Sequence, residues 1–246
     1  MNAALRYLPL VLIAIAWETA SRLQLVSTLA LPPLSDVALS WWDLLKSGEL
    51  ITNGASSLWR AGAGLFLSVI IGSALGIAMA WWRPAQIVLG PLVEALYPLP
   101  KSALIPVTVI WLGFGDGSKI LLILLGCMLP IAIGAYNGAR GSDQALVWTA
   151  RSMGASRLRM LWDVVVPSAT PELLNGIRTA LALSFILLVS SELIVARSGL
   201  GYLIGALGAD GSYSAMYAVV LTVAFIGFAA DRAYQVFQNR MLRWQQ

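Results

Sequence analysis

The sequence predicts an all-α integral membrane protein with six transmembrane helices, and three observations lead there. Of 246 residues, 59% are hydrophobic and only 11% charged, against roughly 25% charged in soluble domains, and mean hydropathy is +0.78. Five or six stretches are apolar over the ~20 residues that cross ~30 Å of hydrocarbon. The polar segments between them are too short to bury a core of their own, so residues 1–246 are expected to form a single transmembrane domain.

The first stretch, LRYLPLVLIAIAWETASRLQL, has the Arg6 and apolar run of a signal peptide, but the run continues into Trp17 and no A-x-A site follows. It reads as a retained span, with Glu18 paired to Arg22 one helical turn on. The second, SLWRAGAGLFLSVIIGSALGIAMAWW, spaces Gly64, Ser68, Gly72, Gly76 and Ala80 four apart. Glycine is common in membrane helices, yet five small residues in register predict a face that another helix approaches closely. The third region is interrupted by Pro91, Pro98, Pro100 and Pro106, which predicts a short lead-in helix and a separate span from about Lys101. SKILLILLGCMLPIAIGAYNG, GIRTALALSFILLVSSELIVA and SAMYAVVLTVAFIGFAADRAYQVF complete the six, and Trp81, Trp82 and Trp111 suit an aromatic belt.

The net charge is +4, and its arginines fall at the ends of apolar blocks, which points to membrane topology rather than to a nucleic-acid surface. With the N-terminus inside, Arg6, Arg83, Arg140, Arg151, Arg157, Arg159, Arg178, Arg232, Arg240 and Arg243 face the cytoplasm. Arg22, Lys46, Arg60, Lys119 and Arg197 face out, and Lys101 is ambiguous. This bias predicts a multi-pass inner-membrane protein with both termini cytoplasmic. Histidine is absent, which removes the commonest general base and metal ligand. The single Cys127 sits in an apolar block and allows neither an internal disulfide nor a thiolate cluster.

One cytoplasmic stretch, TARSMGASRLRMLWDVVVP, is basic, amphipathic and without reactive groups. Ser156 caps a helix whose Leu158, Leu161, Trp162 and Val165 recur at i, i+3, i+4 and i+7, with Arg157, Arg159 and Asp163 facing elsewhere. Gly154 takes a left-handed turn after a preceding helix through Trp148, Ala150 and Arg151; Pro167 and Pro171 stop the second helix before the fifth span. The residues alone leave two readings: an interfacial helix on anionic lipid headgroups, or an apolar ridge docking into a groove on a cytoplasmic partner.

ARSMGASRLRMLWDVVVPSATPELLNGIR resembles the cytoplasmic loop of binding-protein-dependent ABC importer permeases, whose pattern runs E-A-A, three residues, Gly, a helix ending in Leu/Val-Pro, then Gly-Ile/Leu-Arg. Ala150, Gly154, Ala155, Ser156, Pro167, Pro171, Gly176 and Arg178 match, whereas Trp148 and Thr149 stand where Glu and Ala are usual. LPPLSDV, PLVEALYPLPKSALIPVTVIWLGFGDGSKI and SELIVARSGLGYLIGALG resemble the nitrate, sulfonate and taurine branch in order and spacing. The resemblance implies a type I importer permease architecture with a coupling loop at about 140–172. Two ATPase subunits would dock on Ala150, Arg151, Gly154, Ala155, Ser156, Arg157, Leu158, Leu161, Trp162 and Pro167. It also implies a second copy of the chain and an extracytoplasmic solute-binding protein. ATP and Mg belong to the partner subunit, and this chain binds no cofactor: it has no G-x-x-x-x-G-K-[ST] loop, and GFGDGSK lacks the Gly-Lys order.

Ionisable groups in hydrocarbon cost at least ~2.5 to 3.5 kcal/mol at a helix centre, so each wants a reason. Glu192, beside Ser190 and Ser191, is expected in the outer half of the fifth span, lining a cavity or fixing a helix; snorkelling or pairing with Arg197 is the other reading. Lys101 is expected to pair with Glu94 across the proline break, with solute contact as the second possibility. RSGLGYLIGALG reads as a flexible or tightly turned outer gate segment, or as an ordinary surface loop. An ATP-independent secondary transporter or channel explains the hydrophobicity but predicts internal repeats or several midplane charges. A membrane enzyme is the least favoured class: the chain has no His, no His-Glu-x-x-His motif and no carboxylate cluster, and its small Ser-containing motifs lack a companion base.

Overall fold

The computed structural model describes residues 3–245, with side chains from residue 8 to 244. Every regular element among them is helical: α1 (Ala3–Arg22), α2 (Leu34–Lys46), α3 (Glu49–Trp81), α4 (Arg83–Leu96), a 3-10 turn (Lys101–Leu104) running into α5 (Ile105–Leu112), α6 (Asp116–Arg140), α7 (Gln144–Ser152), α8 (Arg157–Met160), α9 (Val166–Val195), α10 (Leu200–Ala209) and α11 (Tyr213–Met241).

Four helical runs among the described residues are long and apolar enough to cross a membrane: α3, α6, the continuous run Arg157–Val195, and α11. A fifth exists if α4 and Lys101–Leu112 count as one span bent by 98°. Six were expected. The region from Lys101 is too short to be a separate span, because a four-residue 3-10 turn and the eight-residue α5 rise only about 16 to 20 Å. The first expected span falls on the 20-residue helix α1, which is not among these runs; part of its side chains, Arg6 among them, lie outside the described residues.

The prolines also act differently from expectation. Pro167 and Pro171 stop nothing: the chain stays helical from Arg157 to Val195, 39 residues. A π-turn at Leu161–Val165 carries it past Pro167, with Val166 N–H donating to the Leu161 carbonyl five residues back. One inserted residue widens the helix where a proline ring would otherwise crowd the preceding turn.

The chain divides into two compact units: one up to Ser57 together with Glu192–Ile226, the other Leu58–Ser191 with the residues from Gly227 onward. In the first, Val37 and Leu44 of α2, Leu50 of α3, Leu200 and Leu203 of α10, and Ala218 and Val219 of α11 form the core. Its connections are tied by polar contacts, Trp17 Nε1 to the Pro32 carbonyl at 2.8 Å and Tyr217 Oη to the Ala30 carbonyl at 2.8 Å. The pair expected in α1 is present, with Arg22 Nε 3.0 Å from Glu18 Oε1, and Glu18 also accepts from Ser35.

In the second unit α3 lies against α6 along its small residues. A β-carbon on Gly64 would stand 2.7 Å from Ile123 Cβ, one on Gly72 2.7 Å from the Met128 carbonyl, and one on Gly76 would overlap the Ala132 carbonyl. Ser68 donates to the Gly64 carbonyl at 2.7 Å and sits 3.3 Å from that of Leu124. Ala80 packs instead on Ala139, Val165 and Ala169. Removing side chains brings the backbones close enough for dispersion to hold helices that gain little from hydrophobicity in lipid.

Candidate functional site

The segment between α6 and α9 is built from local signals. Asp143 accepts from Ala145 N–H at 2.8 Å and starts α7. Gly154, with φ +81°, ends it in a paired closure: Ala155 N–H donates to the Ala150 carbonyl and Gly154 N–H to that of Arg151, both at 3.0 Å. This crossed pair needs a left-handed residue between the two donors, which is why glycine stands there. Ser156 then caps α8, accepting from Arg159 N–H at 3.3 Å. The expected order of helix, tight bend, helix is present, but α8 leads without interruption into the 39-residue run.

The predicted apolar stripe is split. Val165 is buried with Ala139 and Ala169, and Leu161 packs against them. Leu158 and Trp162 point away and are exposed at 65% and 62%. The π-turn explains the split, because it interrupts the 3.6-residue period between Leu158 and Val165. Leu146, Trp148 and Met153 are exposed too, so α7 and α8 present bare apolar groups beside Arg151, Arg157 and Arg159. Arg159 makes only a loose 3.8 Å pair with Asp163.

Glu192 and Ser191 are both buried within the protein. Glu192 Oε2 accepts from Ser57 Oγ at 2.7 Å and from Gly201 N–H at 3.0 Å, while Ser57 Oγ also accepts from Leu200 N–H at 2.8 Å. The carboxylate therefore sits at the N-terminus of α10, where unpaired amides and the helix dipole favour negative charge. Gly199, at φ +115°, lets the chain pass against it: a β-carbon there would overlap the carboxyl group. Ser191 Oγ donates to the Leu188 carbonyl at 2.8 Å. The segment expected as an outer gate is thus an ordered helix, α10.

Lys101 does not form the expected pair with Glu94. Its ammonium donates to the carbonyls of Leu96, Tyr97 and Leu99 at 2.6, 3.0 and 2.9 Å, closing the end of α4 at the proline break. Pro98 and Pro100 offer no N–H to the end of α4, where the Leu96 carbonyl takes a long 3.4 Å bond from Leu99 N–H, and three N–H groups on one nitrogen meet that need better than a carboxylate does.

Several polar contacts were not legible in the sequence, those between helices because their members lie 50 to 56 residues apart in the chain. Arg60, buried in α3, sits 2.7 Å from Asp116 of α6, and Lys119 is buried with Nζ donating to the Phe114 and Gly115 carbonyls. Arg178 meets Asp231 through two bonds of 2.8 and 3.2 Å. Tyr136 accepts from both Gln86 and Arg140. Among the described residues, no three of His, Cys, Asp and Glu gather as metal ligands.

Residues 68–243 match the family model described as binding-protein-dependent transport system inner membrane component. The chain is 35% identical over 233 residues to the taurine transport system permease protein TauC of Escherichia coli strain K12, covering 93% of this chain and 85% of that protein. It is 32% identical over 238 residues to the putative aliphatic sulfonates transport permease protein SsuC of Bacillus subtilis strain 168, covering 97% and 86%. A chain of the inward-facing MetNI methionine ABC transporter shares the fold, with TM-score 0.62 at 22% identity over 76% of this chain and 93% of that one. A helical chain with membrane-crossing runs, a capped helix pair between two of them and this match over most of its length belongs to the binding-protein-dependent transport system inner membrane components, the permease subunits of ABC importers.

Proposed function

We propose that this permease subunit forms half of the translocation pathway for a small oxyanion such as a sulfonate, taurine or nitrate, with a second copy of itself supplying the other half. Residues 1–246 act as one transmembrane domain, in which α1, α3, the bent α4–α5 pair, α6, the Arg157–Val195 run and α11 make six passes. Both termini lie in the cytoplasm. An extracytoplasmic binding protein delivers the solute, and two ATPase subunits dock on α7 and α8. The likeness to TauC and SsuC supports the solute class.

The observation that carries the reading is the bare apolar surface of Leu158 and Trp162 on a helix continuous with a membrane-crossing run. Closure of the ATPase pair on ATP would move α8. Because no break separates α8 from α9, that displacement tilts a whole membrane helix as a rigid body. The segment transmits force and needs no reactive group. Lys101, Ser191 and Glu192, candidates for the pathway in the sequence, act in this reading as fixtures that hold α4, α9 and α10 in shape.

The test is co-purification and uptake. Reconstituted with its cognate ATPase and binding protein, the chain is expected to import taurine or ethanesulfonate only with ATP. Gly154→Val, strained at φ +81° with open space around it, and Leu158→Glu are each expected to abolish ATPase capture. Uptake that needs neither ATPase nor ATP would overturn the proposal in favour of a secondary transporter.

A further inference from the structure

A cleft of about 690 Å³ opens beside α4, lined by the polar side chains Arg83, Gln86, Glu94, Tyr97, Tyr136 and Asn137 and by apolar groups of α3, α4 and α6. Its chemistry centres on Tyr136. The phenol oxygen accepts Gln86 Nε2–H at 2.7 Å and Arg140 Nη1–H at 2.8 Å. The Arg140 guanidinium lies 5.6 Å from the ring centroid. With two donors aimed at its oxygen, the hydroxyl hydrogen is left to donate, and no described residue accepts it. Arg83 and Asn137 likewise have no side-chain partner among the described residues.

We propose that this end of the cleft is a binding site for an oxyanion headgroup of the sulfonyl or phosphoryl class. Tyr136 O–H, the Arg83 guanidinium and the Asn137 amide supply donors to it, and Arg140 polarises the phenol from behind. Guanidinium and charge-assisted hydroxyl donors suit tetrahedral oxyanions by geometry as well as charge. The opposing carboxylate, Glu94, is eleven residues along α4 from Arg83, roughly 16 Å by helical rise. The anion end therefore keeps its positive character. The volume is several times that of a three-oxygen headgroup and within the roughly 300–1,000 Å³ of small-ligand sites, which leaves the apolar remainder for an alkyl tail. A transported sulfonate and an anionic lipid headgroup both have this chemistry. Only the role as a stage in transport rests on the importer reading.

The experiment uses the chain with its cognate ATPase in nanodiscs, without ATP or binding protein, and radiolabelled ethanesulfonate as probe. Saturable binding is expected in phosphatidylcholine discs. Tyr136→Phe, which keeps the ring and its packing, and Arg83→Gln are each expected to weaken binding about 10-fold or more, the loss of one charge-assisted hydrogen bond. A second arm adds phosphatidylglycerol. Competition with ethanesulfonate that disappears in Tyr136→Phe identifies lipid as the occupant, and absence of competition identifies the solute; either supports the site. Absence of saturable ethanesulfonate binding together with no phosphatidylglycerol retention, or variants that match wild type with both probes, overturns it. If proteoliposomes import ethanesulfonate while both variants bind and import normally, the site falls and the importer reading stands. Wild-type binding without ATP-driven uptake gives the reverse.

Discussion

Replacing Gly199 with alanine tests how a buried carboxylate holds α10. At φ +115° an L-residue carries backbone strain of order 1–3 kcal/mol. The added β-carbon would also overlap the Glu192 carboxyl group, with Oε2 2.5 Å away. Relief requires the carboxylate to leave Ser57 or Gly201, or α10 to move off both. Losing one buried hydrogen bond to a charged group adds about 1.5–3 kcal/mol. The sum is about 2.5–6 kcal/mol, which at roughly 2–4 °C per kcal/mol lowers the melting temperature by about 5–24 °C. Gly211→Ala is the control, since it has φ +75° and nothing within 4 Å. Strain alone predicts a fall of about 3 °C there. Melting in detergent is followed by tryptophan emission, to which Trp17, Trp41 and Trp42 of the same unit contribute. Equal shifts for the two variants would refute the close-approach argument, and an unshifted Glu192→Gln would refute the role given to the carboxylate.

The glycine contacts of α3 and the exposed ion pair give further expected outcomes. Gly76→Val forces a side chain into the Ala132 carbonyl and Ala135 Cβ, and is expected to cost several kcal/mol and reduce folded yield sharply. Gly62→Ala on the same helix, with nothing within 4 Å, is expected to be neutral or slightly stabilising; size-exclusion yield compares them. The Arg178–Asp231 pair is partly exposed, at 46% and 38%, so Asp231→Ala is expected to bring only a small loss of stability, read as a slightly lowered melting temperature. The charge exchange Arg178→Asp with Asp231→Arg should recover most of that loss in a double-mutant cycle, and failure to recover would refute pairing as the source.

The class and most helices were legible in the sequence because they arise from local chemistry. A membrane-crossing helix satisfies its own backbone, so apolar length alone specifies it. The Ser156 cap and the left-handed Gly154 were equally local, each bonding within five residues. The expected stripe over Leu158, Leu161, Trp162 and Val165 failed for a related reason: periodicity assumes an unbroken α-helix, and a one-residue π insertion rotates every later side chain about the helix axis.

Glu94 and Lys101 looked like a pair because opposite charges near a break suggest one, yet the donor-poor carbonyls of a proline-interrupted helix end were the nearer demand. Sequence by itself determined a helical membrane protein with a capped helix-turn-helix segment between two of its apolar blocks. Tertiary structure alone decided where Glu192, Arg60 and Tyr136 place their polar atoms, because their partners sit 9 to 135 residues away for Glu192, 56 for Arg60 and 50 for the Gln86 contact of Tyr136. Spacing along a chain encodes which face of one helix a residue occupies. Which two faces meet depends on how closely backbones approach, and in this protein the glycines of α3 and the glycine that opens α10 set that distance.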